Sequence, residues 1–264
     1  LPALRRLPSP PRADPQRRHP GAGVGWALLG ATGALLLHGA SKAGTAAIAL
    51  TALALGLAAV GVAAGRLLPR GSLVAAAGLP AVMALRGLLA SAFASAEIFI
   101  PLYLPREAGW SLTQAGLALS AGAVLWSCGS AVQARIVPAR DRRRGLQAGF
   151  LAVAAGIAIV AAQMLIGDRA WLVVAGWSIA GFGIGLSYPM LSVLTLRLSA
   201  PAEQGHNASA LQLSDALCSS AVLAVAGALF NRAGASGAPG YVLVLALAMA
   251  LALGGALLAR RAFA

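Results

Sequence analysis

The chain has 264 residues, of which 59% are hydrophobic and only 10% charged, and it carries a formal net charge of +13. Together with a mean hydropathy of +0.81, this excludes the half-apolar, quarter-charged balance of a soluble domain. A charge of this size would point to nucleic acid in a soluble protein, so the basic residues are tested first against membrane orientation.

The first 20 residues, LPALRRLPSPPRADPQRRHP, are rich in Pro and Arg and lack the apolar core of a cleavable signal peptide. Residues 1–22 read as a cytoplasmic basic linker. With Leu1 inside such a linker, the chain reads as the C-terminal part of something longer. Beyond it the apolar residues fall into blocks of about 20, the length a helix needs to cross a bilayer core. Spans are predicted at residues 23–40, 45–64, 83–104, 112–133, 147–166, 170–196, 208–230 and 239–259, with 65–82 as a cytoplasmic or interfacial connector.

Placing both termini inside puts the clusters Arg5/Arg6, Arg17/Arg18, Arg66/Arg70, Arg142/Arg143/Arg144 and Arg260/Arg261 on the cytoplasmic side. The outer loops keep only Lys42, Arg106, Arg169 and Arg232, as the positive-inside rule requires. Arg86, near the cytoplasmic start of the third span, is expected to snorkel to the inner surface. Tyr103, Trp110, Trp171 and Tyr241 fall at predicted outer boundaries, where aromatic residues favour the headgroup level.

Polar content divides the spans. The first, second, fifth and eighth are almost pure Ala, Leu, Val and Gly and should form a lipid-facing rim. The third, fourth, sixth and seventh carry Glu97, then Ser120 and Ser127, then Tyr188 and Ser192, then Gln212, Asp215 and Ser219. Polar groups are costly against lipid, so these four should face one another or a wet cavity. Glycine pairs four apart, Gly61/Gly65, Gly145/Gly149 and Gly181/Gly185, are candidates for close helix contacts. Pro189 should kink the sixth span and free a carbonyl one turn earlier.

Glu97 is the first functional candidate, since a carboxyl inside a span is a possible proton carrier. Asp215 is the second: Gln212 at i−3 and Ser219 at i+4 extend it into a polar stripe, which serves equally for function or for tying the helix to a neighbour. Asp141, Arg142, Arg143 and Arg144 lie in the basic loop between the fourth and fifth spans, with attraction to anionic lipid as their minimum role. Cys128 and Cys218 read as apolar filler. No GxSxG elbow, HExxH, phosphate loop or paired CxxC occurs and His19, His38 and His206 are scattered, so no enzyme, metal or cofactor chemistry is expected.

Three stretches carry a resemblance: AEIFIPLYL with GWSLTQAGLALSAGAVLWSCGS, the basic VPARDRRRG, and GWSIAGFGIGLSYPMLSVLTLRLSAPAEQGHNASALQLSDAL, about half the chain. On them the chain resembles the C-terminal part of a major facilitator superfamily transporter of the 14-helix drug:proton antiporter type. The resemblance implies an all-α membrane fold in which residues 23–64 are an accessory pair and 83–264 a C-terminal six-helix bundle of two inverted three-helix repeats. It also implies a preceding six-helix bundle as partner. The basic stretch resembles the superfamily's cytoplasmic Gly/Asp/Arg motif with Asp141 at the acidic position, though its glycine pattern departs from it.

The function implied is proton-coupled efflux of a small amphipathic or cationic compound across the cell membrane. Glu97 would carry the proton, and Asp215, Gln212, Ser219 and Tyr188 would line the cavity. Lipid, substrate and protons are then the partners, and nucleic acid is not. Metabolite uptake or uniport, and a membrane sensor or assembly subunit without transport, are the alternatives.

Overall fold

The computed structural model describes residues 20–40, 42–135, 139–167, 169, 171–234 and 237–264, so the basic linker lies outside the described residues up to Pro20. Among the described residues there is no strand. There are eight long helices: α1 (Pro20–Ala40), α2 (Ala46–Leu67), α3 (Leu79–Arg106), α4 (Leu112–Ala134), α5 (Ala139–Ile166), α6 (Trp171–Arg197), α7 (Gln204–Arg232) and α8 (Ala238–Leu258). All eight contain a segment long and apolar enough to cross a membrane, and the chain is a multi-pass membrane protein.

Local signals set several of the ends. Thr45 caps α2 by accepting from the Ile48 amide. Ser111 and Gln114 form a capping box at α4, each side chain bonding the other's backbone N–H. Pro80 enters α3 in its first turn, where a missing N–H costs nothing. That start moves the beginning of the third helix four residues ahead of the predicted 83.

The larger correction is α5. Its helix begins at Ala139, so Asp141, Arg142, Arg143 and Arg144 occupy its first turns and are not a loop. Charge drove the loop reading, yet arginine is among the better helix formers, and that propensity offsets the unfavourable placement of cations at a helix N-terminus. Arg143 and Arg144 are exposed there.

Residue contacts fix the helix directions. Gly122 approaches Gly181 and Gly129 approaches Gly185, so α4 and α6 run in parallel; Gly149 meets Gly183 and Gly156 meets Gly176, so α5 and α6 are opposed. Gly87 lies against Ser214 and Phe99 against Phe230, making α3 and α7 parallel. Gly30 against Ala63 and Leu37 against Gly56 make α1 and α2 opposed. This alternation is what consecutive crossings require.

Helix α6 is packed between α4 and α5, and α3 between α7 and α8, with α5 and α8 also packed together. α3 and α6 are the most buried of the eight, and α1 and α2 among the least. The low burial of α1 and α2 fits the expected rim, whereas α5, also expected there, buries Leu146, Phe150, Val153 and Val160 among its neighbours, chiefly α6 and α8, because a helix of small and aliphatic residues packs as well on protein as on lipid. The α1–α2 hairpin touches the bundle mainly along α7, where Leu217 approaches Gly30.

Two glycine faces hold α6. A methyl on Gly183 would sit 2.7 Å from the Val153 amide nitrogen, and one on Gly181 would sit 2.9 Å from the Gly122 carbonyl carbon. Of the three expected pairs, Gly181/Gly185 makes these close contacts. Gly149 makes one with Gly183, whereas Gly61 has open space around it. Tyr103 and Tyr241, expected at the outer boundary, are buried in protein, where the Tyr241 ring meets Tyr103, Phe99 and Phe230 edge-on.

Candidate functional site

An ion pair between Arg86 and Asp215 joins two helices distant in sequence. Gly87 lets α7 approach α3 until a methyl there would be 2.9 Å from Cys218 Cβ, and Ser214 Oγ donates to the Met83 carbonyl at 2.8 Å. This close approach brings Asp215 opposite Arg86. Arg86 Nε donates to Asp215 Oδ2 at 3.1 Å, Nη2 to Gln212 Oε1 at 2.9 Å, and Nη1 to the Tyr188 carbonyl at 3.1 Å and Ser192 Oγ at 3.3 Å.

Arg86 is only 2% exposed, so the expectation that it snorkels to the surface is wrong. The physical reason is the partner set: four acceptors on α6 and α7 satisfy its fork more fully than headgroups could at that depth. Tyr188 completes the cluster. Its hydroxyl donates to the same Asp215 oxygen, and its ring lies against the guanidinium. Of the residues expected around Asp215, Gln212 and Tyr188 are brought together, while Ser219 is half-buried one turn further along and makes none of these bonds.

Next to Tyr188, Pro189 removes the N–H that would bond the Gly185 carbonyl, and Ser130 Oγ on α4 donates to that carbonyl at 3.3 Å. The freed carbonyl is thus satisfied from α4 while Arg86 grips the next turn from α3. An irregular point in α6 is held from two sides.

No family model and no curated protein matches the chain.

Glu97 stands apart from the ion pair. It is exposed on α3, and no hydrogen bond or ion pair of its side chain is found among the described residues. One turn before it, Phe93 stacks on Trp177 with centroids 4.4 Å apart and meets Trp126 edge-on at 5.4 Å; Trp126 in turn meets Tyr188 at 5.7 Å. A continuous line of aromatic contacts therefore leads from the turn below Glu97 to the Arg86–Asp215 cluster. Sequence reasoning missed Phe93, Trp126 and Arg86, because their positions signal nothing until three helices are packed.

The polar residues of α4 behave differently. Thr113, Ser120, Ser127 and Cys128 lie on one exposed stripe together with Leu117 and Val124, and the Ser120 and Ser127 hydroxyls bond only carbonyls one turn earlier in their own helix. On α7, Ser209, Gln212 and Ala216 form a second exposed stripe. Among the described residues no three His, Cys, Asp or Glu side chains converge to hold a metal.

Proposed function

We propose that the chain is the accessory pair and C-terminal bundle of a proton-coupled exporter of small amphipathic or cationic compounds, working by alternating access as half of a longer protein. The observation that carries this reading is the uncovered polar surface. In a chain with eight candidate spans, Glu97 and the hydroxyl-bearing stripe on α4 are left facing away from the bundle. Facing lipid, the Glu97 carboxyl would be costly, so it calls for water or a second bundle opposite.

The packing order supports the same reading. Exchanging α3, α4 and α5 for α6, α7 and α8 maps the α4–α6 contact onto α7–α3 and the α5–α6 contact onto α8–α3. With odd and even helices opposed, that exchange inverts the unit, as inverted three-helix repeats do. By their arginines, the α2–α3, α4–α5 and α6–α7 turns and both termini lie in the cytoplasm.

In this reading Glu97 is the exchangeable proton site. Asp215 is not, because Arg86 and Tyr188 already satisfy its carboxylate. Asp215 and Arg86 then hold α3, α6 and α7 as one body during rocking. The test is efflux of a fluorescent cation such as ethidium from vesicles carrying the intact protein, with an imposed pH gradient. Glu97→Gln should still bind the dye but transport it at the rate of empty vesicles, with no dependence on the gradient. Gradient-driven efflux unchanged in the variant would remove Glu97 from the coupling step.

A further inference from the structure

The connector between α2 and α3 has a built shape that packing alone does not call for. Gly71 (φ 88°) and Ala75 (φ 49°) are both left-handed and bracket a short 3-10 turn, Ser72–Val74. For Ala75 that backbone is unfavourable, since its Cβ crowds the following carbonyl. It is held from outside: Arg261 Nη1 donates to the Val74 carbonyl at 3.2 Å and to the Ala75 carbonyl at 3.3 Å, and the Gly78 amide donates to the Arg261 carbonyl at 2.8 Å.

What the strained turn achieves is outward presentation of two aliphatic side chains. Ser72 and Ala75 are buried, whereas Leu73 and Val74 are 66% and 70% exposed. Leu73 folds back along α2, its Cδ1 3.6 Å from where a methyl on Gly65 would be. Gly65 belongs to the last turn of α2, so Leu73 stands beside the end of a candidate span. Both residues line a cleft of about 240 Å³ together with Ala64 and Pro69. Exposed Arg70 precedes the turn and exposed Arg260 adjoins Arg261, while the 68–78 connector contains no acidic residue.

We propose that this connector is a membrane-surface anchor, seating Leu73 and Val74 at the headgroup–acyl boundary and holding anionic phospholipid headgroups with Arg70 and Arg260. Apolar tips flanked by arginines at the end of a span complement an anionic leaflet in both chemistry and depth. The inference does not depend on what the protein transports.

The test uses the full chain in phosphatidylcholine vesicles with and without phosphatidylglycerol. In a Cys128→Ala/Cys218→Ala background, an environment-sensitive fluorophore is placed at Leu73→Cys, and at Glu203→Cys as a water-exposed control at the same end of the bundle. Nitroxide lipids labelled high on the acyl chain should quench position 73 and not 203, with aqueous iodide doing the reverse. Iodide quenching position 73 as strongly as 203 would overturn the anchor and mark the turn as a surface for another protein. The headgroup half is read on the otherwise native protein by mass spectrometry of retained lipid. Arg70→Gln and Arg260→Gln should each reduce bound phosphatidylglycerol about fivefold, the factor corresponding to about 1 kcal/mol per arginine at an anionic surface. Retention unchanged in both variants would overturn it.

Discussion

Asp215→Leu is expected to destabilise the bundle by about 3 to 5 kcal/mol, and to do so more severely than Arg86→Met at the other end of the same ion pair. The asymmetry follows from proton chemistry. Without Asp215, Arg86 remains 2% exposed beside Gln212, Ser192 and the Tyr188 carbonyl, with no counter-charge. A guanidinium cannot shed its proton, so the charge stays buried. Without Arg86, Asp215 can take up a proton, and its side chain is 22% exposed; the cost then falls to about 1 to 3 kcal/mol for lost hydrogen bonds.

The double variant Arg86→Met/Asp215→Leu should recover most of the loss, because removing both charges removes the uncompensated one. Unfolding midpoints in detergent for the four proteins would measure the coupling. Additive losses would mean that the two side chains do not share an interaction.

Gly185→Ala should also lower stability, although alanine is the better helix former by about 1 kcal/mol. A methyl there would press on the Trp126 carbonyl and lie 3.0 Å from the Ser130 amide nitrogen. Both are backbone of α4, which cannot rotate away as a side chain can. Overpacking of this kind costs about 1 to 3 kcal/mol, and Gly185→Leu should exceed that and separate α4 from α6. The control is Gly61→Ala, where nothing lies within 4 Å; its effect should be neutral or stabilising by about 0.5 to 1 kcal/mol. Opposite signs for one chemical change at two glycines can be read in a single thermal-melt series. Equal effects would contradict the packing described for α6.

Much of the architecture is legible without coordinates because membrane spans announce themselves locally. Apolar blocks of helix-spanning length place all eight helices, and the observed ends of α2, α4 and α6 fall within three residues of the predicted ones. The misses share one cause. Arg86 was assigned to the inner surface because depth was judged along one helix, whereas its partners Asp215 and Gln212 are more than 120 residues away. The i, i+4 glycine rule found Gly181 and Gly185 but not the seven-residue pairs Gly122/Gly129, Gly149/Gly156 and Gly176/Gly183, which line one face over two turns. Tyr103 and Tyr241 were assigned to headgroups by type, and only the packing of α3 against α8 reveals that they meet each other, with ring centroids 5.3 Å apart. By contrast, the polar helices stood out at once, since hydroxyls and carboxylates within apolar blocks are anomalies in any single span.

In the proposed transporter the exposed stripe of α4 that carries Ser120 and Ser127 lines water and not lipid. Cys128 lies on that stripe, exposed and unpaired, between Ser127 and Gly129. Thiol labelling in sealed vesicles of the intact protein carrying Cys218→Ala addresses it directly, comparing a charged, membrane-impermeant maleimide with a lipid-soluble one. A hydrated stripe gives reaction of Cys128 with the charged reagent, blocked by excess transported cation. Reaction with the lipid-soluble reagent alone would place Cys128 against acyl chains and contradict the transport reading.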